Sequence, residues 1–215
     1  MLTLHSYWRS SAAYRVRIAL NLKSLSYNYA PVDLLKGEHK SASYLEHNPA
    51  GLVPAITLAD GRSLSQSLAI IAWLEDEYPE PALLPQDSFE RARVMSMAYT
   101  VACEIHPLNN MGILNYLRAE YDASEPQVNE WMHKWLERGF STLEREIGNG
   151  PYCHGGRVTL ADILLVPMVY NALRFDYDLA NRQPKVLAVW DACNKLEAFA
   201  KALPEQQPDA SGTTD

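Results

Sequence analysis

Over residues 1–79 the spacing of apolar positions switches between the two-residue alternation of strands and the helical period of about 3.6 residues. Residues 2–7 form a short apolar stretch of strand character. From Ser10 the pattern turns helical, with Val16, Ile18, Ala19 and Leu22 beside the charged Arg15, Arg17 and Lys23. Residues 27–34, rich in aromatic and β-branched side chains, read as a second strand. A helical segment around 41–46 is stopped by Asn48-Pro49-Ala50-Gly51. Val53-Pro54-Ala55-Ile56-Thr57-Leu58 and Arg62-Ser63-Leu64 flank Asp60-Gly61, a hairpin signal. Residues 67–77 close the segment as an amphipathic helix with Leu68, Ile71 and Leu74 on one side. The order βαβαββα implies a mixed sheet covered by helices.

Tyr78-Pro79-Glu80-Pro81-Ala82-Leu83-Leu84-Pro85 cannot be a helix interior and reads as a linker. Strand signals vanish beyond it. Residues 89–117 and 127–147 are long and helix-periodic. Thr159 and Asp162 have the layout of a capping box ahead of a third helix, and 186–203 makes a fourth. The expected organisation is an α/β domain over 1–79, an all-helical domain over 86–203, and a polar, disordered tail over 204–215.

Composition narrows the function. Hydrophobic residues make up 47% and charged residues 21% of the 215 positions, the range of ordinary globular proteins. The net charge is −7, the balance of 19 basic and 26 acidic residues. That sign argues against a nucleic-acid binder, whose footprint is basic. Cys103, Cys153 and Cys193 lack CxxC spacing, so reduced thiols are expected, with neither a disulfide framework nor a metal site. Cys103 and Cys153 read as small core residues. The N-terminus meets Arg9 before any adequate apolar run, so no secretory leader is expected. The apolar run over 163–170 is interrupted by Pro167 and falls far short of the ~20 residues of a membrane span. A cytoplasmic protein is expected.

Trp8-Arg9-Ser10-Ser11 stands between a strand and a helix. Hydroxyls there suit capping of backbone N–H groups, and the same geometry suits a phosphate, carboxylate or thiolate. On sequence alone capping is the preferred reading. Gln66-Ser67 poses the same choice at a later helix start. His39 and Lys40 suit either an anion or solvent. Cys103-Glu104-Ile105-His106-Pro107-Leu108-Asn109-Asn110 sets a histidine and two amides in a helical pattern broken by Pro107.

Ser10-Ser11-Ala12-Ala13-Tyr14-Arg15-Val16-Arg17-Ile18-Ala19-Leu20 resembles the signature of zeta-class glutathione transferases, the maleylacetoacetate isomerases. Asn48-Pro49 through Val53-Pro54, Gln66-Ser67-Leu68-Ala69-Ile70, Leu83-Leu84-Pro85, Thr159-Leu160-Ala161-Asp162, Asn171-Ala172-Leu173-Arg174-Phe175 and Gln207-Pro208-Asp209 agree in order and spacing. The likeness spans nearly the whole chain. Ala12 and Tyr14 depart from it, where the family usually has cysteine and tryptophan.

The resemblance implies the glutathione transferase fold: a thioredoxin-like βαβαββα domain with a cis Val53-Pro54 bond, followed by the helical domain. It implies glutathione as cofactor, a homodimer, and isomerisation of maleylacetoacetate to fumarylacetoacetate in tyrosine and phenylalanine catabolism. Ser10 and Ser11 are the implied catalytic pair. Ser10, His39, Val53, Pro54, Gln66, Ser67 and His106 would bind glutathione, and Arg9, Arg174, His106 and Asn110 the dicarboxylate substrate. A maleylpyruvate isomerase, a transferase acting on α-haloacids and a non-catalytic glutathione binder are the alternatives. A thioredoxin-type redox protein would need a cysteine within 10–13, and none stands there.

Overall fold

The computed structural model describes residues 1–210, and none of their helices is long and apolar enough to cross a membrane. They form two compact units, Met1–Ala82 together with the chain from Lys195 onward, and Leu83–Asn194.

The first unit runs β1 (Leu2–Ser6), α1 (Ser11–Leu22), β2 (Tyr27–Pro31), α2 (Ala42–Leu45), β3 (Ala55–Thr57), β4 (Ser63–Ser65) and α3 (Ser67–Glu77), the order expected from the pattern. The sheet order is β2-β1-β3-β4, with β1 parallel to β2 and antiparallel to β3. Leu4 and Ile56, cross-strand partners, are fully buried, as are Val16, Ile18 and Leu20 of α1. His5, on the opposite face from Leu4 by strand alternation, packs against Tyr44 of α2 and His47. β2 stops at Pro31 rather than reaching 34, because the Asp33 carboxylate accepts the Leu35 N–H at 2.9 Å and turns the chain. Val53-Pro54 is cis, as the resemblance implies, and so is Glu80-Pro81. Lys23, at the end of α1, pairs with Glu75 at 2.9 Å and donates to the carbonyls of Tyr78 and Pro81. The proline-rich segment is thereby fastened to the first helix.

The expected helix over 186–203 is two helices in different units. α9 (Pro184–Asn194) belongs to the second unit, and the short α10 (Glu197–Ala200) belongs to the first. Side chains of α1 draw this segment in: Asn21 donates to the Ala198 carbonyl at 2.9 Å and Arg17 to that of Ala202 at 3.1 Å. Order then continues past 204, against the expectation of a disordered tail. Pro204–Gln206 forms a 3-10 turn, and buried Gln207 donates to the carbonyls of Lys201 and Leu203. Asp209 accepts from Trp8 and Tyr29. The tail lacks an apolar face, but its polar groups find partners on the unit it covers. Residues 211–215 of the expected tail lie outside the described residues.

The second unit contains α4 (Ser88–Tyr99), α5 (Met111–Tyr121), α6 (Glu125–Glu146), α7 (Leu160–Arg174), α8 (Leu179–Arg182) and α9 (Pro184–Asn194). The single helix expected over 89–117 is interrupted by a π-helical segment, Thr100–Ile105, and a 3-10 turn, His106–Leu108. Pro107 explains the break: it has no N–H to donate, and its ring crowds the carbonyl of Cys103. Widening the turn relieves the clash, and the His106 N–H bonds the Val101 carbonyl five residues back. Cys103 is exposed on this wide turn, contrary to the core reading, whereas Cys153 is buried. The capping box at α7 forms as read. Asp162 accepts from the Thr159 N–H at 2.7 Å and its hydroxyl at 2.9 Å, and also from the Cys153 N–H at 2.7 Å.

α6 passes the π turn so closely that a Cβ at Gly139 would lie 2.2 Å from Ile105 Cγ1. Gly139→Ala should therefore destabilise the protein by ~1–3 kcal/mol, the usual cost of overpacking. Urea unfolding measures this, and the double variant with Ile105→Ala should lose less than the sum of the two single losses; a neutral Gly139→Ala would mean that the turn yields.

Candidate functional site

Tyr7, Trp8 and Arg9 carry the chain from β1 to α1. Ser10 caps the helix at φ −70° and ψ 117°, its hydroxyl accepting the Ala13 N–H at 3.2 Å. Its own N–H donates to the Tyr7 carbonyl at 3.0 Å. The capping reading is thus correct, and it leaves the hydroxyl proton for a further acceptor. Ser11 is the first helical residue, at the positive end of a 12-residue helix. The Arg9 guanidinium lies 5.1 Å from the centre of the Trp8 ring.

The loop is held from beneath by Arg17, which is fully buried. Its Nη2 donates to the Trp8 carbonyl at 2.9 Å. Nη1 reaches the Ser6 hydroxyl at 3.2 Å and the Tyr7 carbonyl at 3.4 Å, and Nε reaches Ala202. Burial lowers the Arg17 pKa, and Tyr29, Tyr27, Tyr14 and Asp209 oppose that shift. The fork-shaped group satisfies acceptors that no apolar side chain could.

Val53 joins Tyr7, Trp8, Val32 and Tyr44 in one buried cluster, which brings the cis-proline turn and the Ser10 loop together. It lies outside the β3 ladder, whose pairing begins at Ala55. Asn48 Nδ2 at 2.6 Å and the Tyr44 hydroxyl both donate to the Leu52 carbonyl and fix the approach to the turn. His39 occupies a 3-10 turn, half-buried, with its pKa lowered first by burial and then by Lys40.

Gln66 adopts φ 71° and ψ 116° and its side chain makes no capping bond. A non-glycine residue in that region costs of order 1–3 kcal/mol, and such strain clusters at ligand sites. Ser67 opens α3, buried, and its hydroxyl accepts from Arg15 Nη1 at 3.4 Å. Arg15 thus brings a buried positive charge to a helix start already suited to an anion. The residue reading missed this role. The available signal was α1 itself, apolar over 13–20 apart from Arg15 and Arg17, as befits a helix buried on every side.

His106, Asn110 and Arg174 belong to the second unit. His106 sits in the turn made by Pro107. Asn110 is the N-cap of α5, accepting the Ile113 N–H at 3.1 Å and donating to the Pro107 carbonyl at 2.6 Å. Arg174 ends α7, exposed, 5.2 Å from the centre of the Phe175 ring and 3.4 Å from Asn171 Oδ1. Consecutive residues of α6 anchor both segments. Trp131 donates to the Leu108 carbonyl at 2.7 Å, the Met132 carbonyl accepts from Asn109 at 3.4 Å, and His133 Nε2 donates to the Phe175 carbonyl at 2.8 Å. Nothing in the sequence marks these among the other positions of a long amphipathic helix.

Arg17→Lys tests the support of the loop. An ammonium cannot reach four acceptors spread across a planar fork, and each buried orphan costs ~1–3 kcal/mol. The variant should lose at least ~2 kcal/mol of stability by urea unfolding; an unchanged midpoint would show that the loop is held by other contacts.

The model of the glutathione S-transferase N-terminal domain matches residues 9–77, and that of the C-terminal domain residues 118–202. Maleylacetoacetate isomerase of Pseudomonas aeruginosa is 45% identical over 208 residues, covering 96% of this chain and 97% of that protein. A holo structure of maleyl pyruvate isomerase, a bacterial zeta-class transferase, matches with TM-score 0.93 at 45% identity over 97% of this chain and 99% of its own. Maleylacetoacetate isomerase of Anaeromyxobacter dehalogenans matches with TM-score 0.87 at 42% identity, over 98% of this chain and 97% of its own. Its active site holds dicarboxyethyl glutathione and citrate. With both domain models and near-complete coverage at this identity, the chain belongs to the zeta-class glutathione transferase and maleylacetoacetate isomerase family.

Proposed function

We propose that this protein isomerises maleylacetoacetate to fumarylacetoacetate with glutathione as cofactor, and that Ser10 activates the thiol. The observation that carries the assignment is the Ser10 hydroxyl at the N-terminus of α1, in a fold whose relative holds a dicarboxyethyl adduct of glutathione.

The residues fit the tripeptide. Glutathione presents a sulfur, a peptide backbone and two carboxylates. Ser10 and the start of α1 suit the sulfur. Val53, before Pro54 and outside the sheet ladder, has backbone groups suited to the cysteinyl unit in the manner of an added strand. Strained Gln66, Ser67 and the charge of Arg15 suit the γ-glutamyl carboxylate. His39 suits the glycyl carboxylate.

When bound, glutathione supplies a thiolate that adds reversibly to the substrate's double bond and so permits rotation. Ser10 donates to the sulfur and, with the helix dipole, favours its ionised form. Ser11 stands at the same helix end and shares that field. Arg9 and Arg174 hold substrate carboxylates, for which a guanidinium fork is suited. His106 donates toward the substrate oxygen on which charge develops. The protein acts in the cytoplasm as a homodimer. Supporting these points are three cysteines without a disulfide, exposed Phe89 on α4, and a cleft of about 680 Å³ lined by Met95, Tyr99, Cys103 and Arg138.

Ser10→Ala should raise the pH midpoint of thiolate absorbance in the glutathione complex. Loss of one charge-assisted hydrogen bond, roughly 1.5–3 kcal/mol, corresponds to about one to two pKa units. The variant also loses a helix cap worth ~1 kcal/mol, so the titration belongs at a temperature where it remains folded. Arg174→Ala should keep glutathione affinity and lose isomerase efficiency; loss of glutathione binding would make Arg174 structural.

Likeness to a maleylpyruvate isomerase raises a second substrate. Met111 and Gly112, both exposed in the first turn of α5, supply no cation for an α-keto carboxylate. A missing charge-assisted contact of ~1.5–3 kcal/mol is a factor of about ten to more than a hundred in kcat/KM. Assays with both substrates side by side should show at least that preference for maleylacetoacetate, and Met111→Arg should erode it. Equal or better turnover of maleylpyruvate overturns the substrate assignment and keeps the chemistry.

A further inference from the structure

The structure assigns a positioning role to Asp209: it fixes the loop that presents Ser10, acting through the backbone of Trp8. The inference rests on the reading of Ser10 as the thiolate donor.

Asp209 lies 201 residues from Trp8 in sequence, yet its Oδ2 accepts the Trp8 N–H at 3.0 Å. Its Oδ1 accepts the Tyr29 hydroxyl at 2.6 Å, which ties the same carboxylate to β2. The Trp8 carbonyl is held from the other side by Arg17, so both peptide groups flanking the Trp8 Cα are fixed by charged side chains. One residue earlier, the Tyr7 carbonyl accepts the Ser10 N–H, which sets the start of α1. Ala210 packs on the cluster of Tyr7, Trp8, Val32, Tyr44 and Val53, and so touches the group that carries the cis-proline turn. Two residues before Asp209, Gln207 is anchored through its amide to Lys201 and Leu203. The returning chain thus closes on the glutathione-binding unit from a distant part of the sequence. Hydrogen bonds from N–H groups to a carboxylate are short and strong, which suits a group whose task is to hold a position.

The variants are Asp209→Ala, Asp209→Asn and Tyr29→Phe, with Ser10→Ala as reference. In each, thiolate absorbance of bound glutathione is titrated, and kcat and KM are measured with maleylacetoacetate. Misplacement remote from the chemistry lowers rates by up to about a hundredfold. Asp209→Ala should lower kcat about 10- to 100-fold with KM for the dicarboxylate little changed, and it should raise the thiolate midpoint in the direction of Ser10→Ala. Asp209→Asn keeps an acceptor for Trp8 and should recover part of both effects. Tyr29→Phe removes one of the two donors to Asp209 and should give a smaller shift of the same sign. A merely structural residue would change melting temperature and leave the midpoint in place. If Ser10→Ala moves the midpoint and neither Asp209→Asn nor Tyr29→Phe does, the role of Asp209 is overturned while that of Ser10 stands. If Ser10→Ala leaves the midpoint unmoved, the thiolate reading falls, and this inference with it. Should Asp209→Ala fail to fold, the two milder variants decide.

Discussion

The fixed point of the first unit is the guanidinium of Arg17. A fully buried charge carries a large desolvation penalty unless its surroundings answer every donor. Here the answers come from Ser6, Tyr7 and Trp8 on one stretch of chain and from Ala202 on another. The same bonds that make the charge tolerable define the path from β1 to α1. Ser10 owes its position to that path, and the returning chain owes its docking to the same group. A leucine at this place would fill volume and take from the Trp8 carbonyl the donor that Arg17 supplies.

Chemistry and support are separated in both units. In the first, Ser10, Val53 and Ser67 are the groups proposed to meet glutathione, while Arg17, Asn48 and Tyr44 bond to the backbone of the loops around Ser10 and Val53. In the second, His106 and Arg174 sit on a turn and a helix end, and α6 fastens both neighbourhoods through main-chain carbonyls. Carbonyl anchors hold the backbone irrespective of the side chains it displays. Substitutions such as Met111→Arg therefore change what the surface displays without altering its frame.

Elements whose stability is local were legible in the sequence. Asp60-Gly61, the run before Asn48-Pro49 and the Thr159–Asp162 pair each carry their own turn or cap chemistry, and each appears where the pattern puts it. Ser10 and Gln66-Ser67 were legible as helix starts, and the catalytic reading of the first and the glutathione-binding reading of the others came from the collinear family motifs rather than from any one of them. What escaped depends on distant partners. Nothing near 209 in sequence announces Trp8, and the Asp209 carboxylate finds its donors on β2 and the Ser10 loop. The break before α5 has a local cause in Pro107, but its form as a π turn also reflects the close passage of Gly139.

The return of the chain from Lys195 has a consequence during synthesis. Leu83–Asn194 is continuous and can form all of its contacts from one uninterrupted stretch of chain. The first unit cannot, although it emerges earlier, because Ala202 and Asp209 are made after the whole of the second. Its sheet can form without them, but the loop under Ser10 receives two of its supports only once that later stretch has left the exit tunnel. Ribosome-bound chains would therefore carry the fold of this unit before its finished glutathione site.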